Sequence, residues 1–350
     1  MSKKGEKPIM KKKSVFVIVI IFFIFFCHSS FAGTQEQDFI YLKNGDVIKG
    51  EIIKLNTNNV IVKTDTGIKT FNFKDVYTIS KDKINKSSYE LIKAKNGKVK
   101  NDFTNLVQMH TWAIGPEISH IKYKEPGLME QKGFMYGLNS FYAYHNNFML
   151  KTDIRYSHGE VDYKSNGTGK QNNIDDYIFE VRGLAGYDFK LSCKEFITPY
   201  IGVGYRYLND DSSGKQTSTG HWGYERESFY YYIPIGFEAF RRLNGRWSVT
   251  VKLEYDYFFD GEQKSRLSDI DSGFNNIKND QDDGYGIRGS IKILYDYSYV
   301  KISFEPFVNY WSIDESNLET LFRDGVPIGY DLYEPDYRST KIGIRVIFEY

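Results

Sequence analysis

The chain is poor in cysteine, tryptophan and proline, and it has only one long apolar run. Two of its 350 residues are Cys, four are Trp and eight are Pro. Cys27 lies in the apolar run at the start, so Cys193 is left alone and the rest of the chain forms no internal disulfide. A helical membrane protein needs several runs of about 20 apolar residues, which excludes that class. Charge of one sign is also scarce. The formal net charge is +1, but residues 1–32 carry six Lys against one Glu, which leaves the remainder near −4. No basic field for nucleic acid remains. What is abundant is aromatic: 29 Tyr and 26 Phe, a content that disordered chains do not have.

The start of the chain reads as an export leader. Lys3, Lys4, Lys7, Lys11, Lys12 and Lys13 form a basic stretch, Ser14 to Phe26 an apolar core, and Ser30-Phe31-Ala32 a cleavage site after Ala32. The core is too short for a membrane anchor, and Phe25-Phe26 before Cys27 lacks the small residues of a lipoprotein site. Residues 1–32 are therefore expected to be a cleaved signal peptide.

Residues 38–80 carry short β-branched runs split by turn signals at Asn44-Gly45, Asn56 to Asn59 and Asp65-Thr66-Gly67. Val47, Lys49, Glu51 and Ile53 alternate with Ile48, Gly50 and Ile52, and Gly50 in mid-strand predicts a bulge or sharp bend. About five strands fit, enough for a small soluble β-barrel. Leu42-Lys43-Asn44-Gly45-Asp46 followed by Ile48-x-Gly50-x-Ile52 resembles the Sm-like and SH3-like small barrels. That resemblance covers this segment alone and implies a docking or spacer module for an envelope partner. RNA binding is not expected of an exported copy. Residues 81–109 read as a polar linker.

From residue 110 to 350 a period of two dominates. Trp247, Val249, Val251, Leu253, Tyr255, Tyr257 and Phe259 alternate with Ser248, Thr250, Lys252, Glu254 and Asp256. The same pattern runs through Phe148 to Tyr156, Val300 to Tyr310 and Ile342 to Tyr350. A soluble sandwich also alternates, but its strands average about 5 to 6 residues. Here they run about 12 to 14, with aromatics gathered at their ends, as in transmembrane barrels. Ten strands are predicted, at 112–123, 134–145, 147–158, 176–189, 196–208, 228–240, 246–259, 285–296, 299–311 and 340–350. Tight turns alternate with longer loops at 124–133, 159–175, 209–227, 260–284 and 312–339, so both ends of the barrel fall on the periplasmic side. Eight or twelve strands are the other even counts. The fold class is thus all-β: a transmembrane antiparallel up-and-down barrel preceded by a small five-stranded one.

The chain closes on Ile344, Val346, Phe348 and Tyr350, alternating and ending in an aromatic. This resembles the C-terminal signal read by the outer-membrane assembly machinery. Gly115-Pro116-Glu117-Ile118-Ser119, RGLAGYDF (182–189), PYIGVGYRYLNDD (199–211), GYERESFYYYIPIG (223–236), DGYGIRGSIK (283–292) and EPFVNYW (305–311) resemble a functionally unassigned family of bacterial outer-membrane β-barrel proteins. The resemblance implies location in the outer membrane of a Gram-negative bacterium, with lipid as a partner, and no activity.

The polar face of the strands predicts what fills the lumen. It carries Glu117, Asp153, Glu180, Asp188, Glu238, Glu254, Asp256, Glu305 and Glu349 against Lys151, Arg155, Arg182, Arg206, Lys252, Arg288, Lys292, Lys301 and Arg345. An ion-selective channel would show a bias of sign. This balance predicts a plug of paired charges, with a narrow pore for small solutes as the rival reading. A surface protease of the omptin kind also has ten strands, but needs a carboxylate pair facing an Asp–His pair at the outer rim. His221 lies in an outer loop, His120 and His158 on strands near the outer rim, and His110 and His145 on the periplasmic side. Asp175 and Asp176 face no histidine in loop 260–284, and Ser157-His158 point to opposite faces. No enzyme is expected. The acidic run Asp269, Asp271, Asp280, Asp282 and Asp283 has Phe274 where a calcium loop needs Gly, so no metal or cofactor is expected either. Tyr230, Tyr231 and Tyr232 read as girdle and lumen residues.

Overall fold

A computed structural model describes residues 38–44, 46–55, 59–80, 108–192, 194–297 and 299–350. The export leader, nearly all of the linker and Cys193 lie outside the described residues. The rest divides into two units.

The first unit is a five-stranded antiparallel sheet: β1 (Asp38–Leu42), β2 (Val47–Leu55), β3 (Asn59–Thr64), β4 (Gly67–Asn72) and β5 (Val76–Ser80), in the order β4-β3-β2-β1-β5. One face buries Ile40, Leu42, Val60, Val62 and Val76, with Ile48 and Ile52 packed against them. The even-numbered side of β2 is therefore the inner one, while Val47 and Ile53 are exposed. The irregularity expected at Gly50 falls instead between Ile52 and Lys54. Gly50 serves a different need: a Cβ there would meet the Lys63 carbonyl at 2.5 Å, so only glycine lets β2 lie this close to β3.

The second unit is a closed antiparallel barrel. Its walls are β6 (His110–Glu125), β7 (Met129–Asn146), β8 (Phe148–Ser165), β9 (Gly169–Tyr187), β11 (Glu195–Asp211), β12 (Glu225–Arg242), β13 (Trp247–Ser265), β15 (Gly284–Asp296), β16 (Lys301–Ile313) and β19 (Tyr337–Glu349). Each pairs with its neighbour in sequence, and β19 pairs with β6 to close the ring. All ten predicted strands are present. Four short pieces join them: β10 (Phe189–Lys190) against β11, β14 (Ile277–Gln281) against β13, and the separate hairpin β17 (Glu319–Arg323) with β18 (Val326–Leu332).

The outward face explains the alternation. Leu138, Ile154, Ile201, Val203, Ile235, Val308 and Ile342 form an exposed apolar band. At the end holding both barrel termini, the near end, it is bordered by Trp112, Phe148, Tyr187, Trp247 and Tyr350, and at the far end by Phe134, Tyr136, Tyr156, Tyr231 and Tyr257. Apolar side chains between two aromatic girdles match a bilayer between its interfaces.

The loop expectations need correction. The segments 124–133 and 159–175 are mostly strand: β6 and β7 pair out to Glu125 and Met129, and β8 and β9 out to Ser165 and Gly169. Gly127, at φ +84°, makes the first of these turns. Beyond the girdle the outward face meets water, so apolar alternation stops while backbone pairing continues. The wall strands β6, β7, β8, β9, β11, β12 and β13 thus have 16 to 19 residues, against 13 in β15, β16 and β19. Loops 266–283 and 314–336 stand beside the shorter strands, joined by a small core of Leu267, Ile277 and Leu321.

Candidate functional site in the barrel lumen

The inward side chains form layers. At the near end a cavity of about 110 Å³ is lined by Lys151, Glu238, Lys292, Glu349 and aromatic residues including Phe141 and Trp247. Lys151 binds Glu238 at 2.8 Å and Lys292 binds Glu349 at 2.7 Å.

Next comes an ionic layer. Arg182, 1% exposed, holds Asp153 at 3.0 Å and Glu254 at 2.6 Å. Arg288 holds Glu180 at 2.7 Å and Asp256 at 2.5 Å. Arg155 bridges Asp153 and Glu180, and Arg345 bridges Glu117 and Glu305. Lys252 lies 3.2 Å from Glu254, whose same carboxylate oxygen accepts from the Tyr200 hydroxyl. Burying an ion costs on the order of several kcal/mol before pairing offsets it, so the network's physical effect is mutual satisfaction rather than net stability. Of the eighteen charged residues assigned to the inward face from sequence, fifteen meet a Lys, Arg, Asp or Glu of opposite charge among the described residues, while Asp188 meets His145 and Lys301 donates to Gln108. Arg206 meets none among the described residues and lies over the Trp311 ring, 5.1 Å from its centroid. Lys341, which was not singled out, binds Glu117 and the Ser157 hydroxyl, each at 2.8 Å. Parity could have found it, since Arg345 and Lys341 share a face of β19.

Farther from the termini the lumen becomes apolar. Tyr230, Tyr232, Phe258, Trp311, Ile313 and Tyr337 pack as one cluster, and Ile121, Met135, Val161, Ile174 and Ile178 as another. Of the three tyrosines in a row, Tyr230 and Tyr232 are lumen residues and Tyr231 faces outward. Phe258 faces inward in step with Glu254 and Asp256, and the extra residue of β13 follows it, where Tyr231 and Tyr232 pair with Asp260 and Phe258.

Beyond the far girdle Arg226 gathers Glu125 at 3.2 Å, Glu334 at 3.6 Å and Asp210 at 3.8 Å. Gln131 donates to Asp210 at 2.6 Å, and Tyr123 donates to Glu125 at 3.1 Å. Glu334 belongs to loop 314–336, so this cluster ties that loop to the strands. Burial raises the Glu334 carboxyl to about 7; Arg226 opposes the shift and Glu125 adds to it.

The histidines are scattered. His145 bonds Asp188 at 2.9 Å at the near end, His110 bonds Tyr142, His120 packs on Phe134, and His221 bonds Thr219. Asp176 pairs in register with Asp210, and Asp175 with Asp211. No histidine is hydrogen-bonded to any of these four among the described residues. Asp271 is bound to Arg323 at 2.7 Å.

A closed ring of ten antiparallel strands, apolar outside between aromatic girdles and charged within, defines an outer-membrane β-barrel. Residues 113–289 match the family model described as the autotransporter beta-domain, and the chain belongs to that family. No curated protein matches the chain. Among solved structures it is similar to the outer membrane protease OmpT of Escherichia coli, with 9% identity over 69% of this chain and 96% of that one, at a TM-score of 0.48. It is also similar to the translocator domain of the autotransporter NalP from Neisseria meningitidis, with 10% identity over 74% and 96% and a TM-score of 0.36.

Proposed function

We propose that the protein is a closed outer-membrane barrel with a structural or interaction role in the Gram-negative envelope and no enzymatic activity. It presents the far-end loops outside the cell and keeps residues 38–80 in the periplasm as a docking module for an envelope partner. Lipid and the assembly machinery, through Ile344, Val346, Phe348 and Tyr350, are its other partners. The observation that carries this reading is the filled lumen, an ionic layer followed by an aromatic one. Barrels of about eight strands are just wide enough for side chains to fill, and open aqueous channels appear at about 16 to 18.

The family's name, autotransporter, raises a second disposition in which residues 38–80 are carried outside. A lumen occupied by its own side chains leaves no path for a chain segment, which favours the periplasm. Planar-bilayer recording of the purified protein tests the closed state. No stable conductance steps are expected, and steps would establish the narrow pore instead. Protease added to intact cells should spare a tag on residues 38–80; cleavage of that tag would place the module outside. A peptide panel incubated with the protein should stay intact, and reproducible cleavage would restore the protease reading.

A further inference from the structure

Arg206 is 4% exposed, and its Nη1 has no hydrogen-bond partner and no ion pair among the described residues. It lines a cavity of about 20 Å³ together with Arg155, Arg288 and Lys341 and two carboxylates, Glu117 and Glu180. Both carboxylates are already engaged. Glu180 accepts from Arg288 and Tyr232, and Glu117 from Arg345 and Lys341. Four cations therefore face two carboxylates, and Arg155 draws on Asp153. No acid among the described residues lies within ion-pair distance of Arg206; Asp176 on β9 feels its charge and that of Lys341 only from farther off. A water would satisfy its hydrogen bond but not its charge, and a buried unpaired ion is the costly case.

We propose that this cavity binds one small monovalent anion of halide size, held by Arg206 Nη1 and the Lys341 ammonium beside the Trp311 ring. Lys341 spends donors on Glu117 and Ser157, and an ammonium has three. One water needs roughly 10–15 Å³, so the cavity takes a single species of about that size and excludes sulfate or gluconate. A route in exists. The near-end cavity of about 110 Å³ shares Phe141 and Lys151 with one of about 40 Å³, which in turn shares Arg155 and Arg288 with this one.

The test uses the full-length protein in detergent. Crystals grown in sodium bromide should show an anomalous peak within hydrogen-bond reach of Arg206 Nη1, and an empty cavity beside occupied surface sites would overturn the proposal. Melting in sodium chloride should exceed melting in sodium gluconate at equal ionic strength by about 2–4 °C. Arg206→Met should melt at the same temperature in both salts, and a salt difference that persists in this variant would assign the effect elsewhere. Should Arg206→Met fail to assemble, the bromide map and the wild-type salt comparison still decide. Equal melting of the wild type in both salts overturns the site.

Discussion

At the scale of the residue, the lumen is decided by who shares a carboxylate with whom. Arg182 stands between Asp153 and Glu254 and is fully enclosed. Arg182→Ala takes one partner from each acid, leaving Asp153 with Arg155 and Glu254 with Lys252 and Arg288. Removing a partner from a buried pair costs about 3–5 kcal/mol and the remaining cations place this variant at the low end, to be read from urea unfolding in detergent. Arg182→Met with Asp153→Asn should recover part of that loss, because one charge of each sign leaves together while Arg155 keeps Glu180 and Glu254 keeps Lys252 and Arg288. Glu334 makes a prediction of a different kind. Its carboxyl titrates near 7 against an ordinary 4.5, so the docked loop holds the proton more tightly than the free one. Its contribution to docking is full below about 4.5 and is lost as pH rises through 7. Proteolysis within 314–336 should accelerate by roughly one to two orders of magnitude between pH 5 and pH 8, and Glu334→Gln should flatten that profile. These pairings were half legible. The residue types and faces followed from period two, but which acid meets which base depends on the barrel's shear and diameter.

At the scale of the element, the strands were legible where they cross the apolar band and illegible above it. Trp247 to Tyr257 announces itself, since lipid on one side and charge on the other force strict alternation. The far parts of β7, β8 and β9 are polar on the outward face, at Lys132, Glu160, Asp162 and Lys164, while Val161 and Ile174 stay inside; water outside allows that without breaking the backbone ladder. The extra residue in β13 hid another feature. It shifts the parity, so Gly261, Gln263 and Ser265 face inward after Phe258. Gly204 on β11 shows what a missing side chain does: a Cβ there would collide with the Tyr232 ring, which lies over it. Gly204→Val should push Tyr232 off Glu180 and cost about 1–3 kcal/mol by overpacking, with loss of the near-ultraviolet dichroism of the buried aromatics.

At the scale of the whole molecule, closure depends on the last residues. Tyr350 and Trp112 exchange backbone hydrogen bonds at 2.8 and 3.0 Å across the seam between the barrel's two ends. Tyr350→Ala keeps those bonds and removes only the outward ring. It should refold in detergent as the wild type does, yet insert less efficiently in cells, measured as the heat-modifiable folded band in outer-membrane fractions. Equal insertion would remove the assembly role from Tyr350.

The sequence by itself determined that the chain is all-β, that ten strands alternate between lipid and lumen, and that many of the charged residues within the apolar band point inward. Those are local consequences of a two-residue period in an extended backbone. Only the tertiary structure decided that the far half of the lumen is aromatic, that Lys341 joins the ionic layer, and that Arg206 alone among the buried lumen arginines described lacks an acid. These depend on distances across the barrel between strands remote in sequence, and no local pattern encodes such distances.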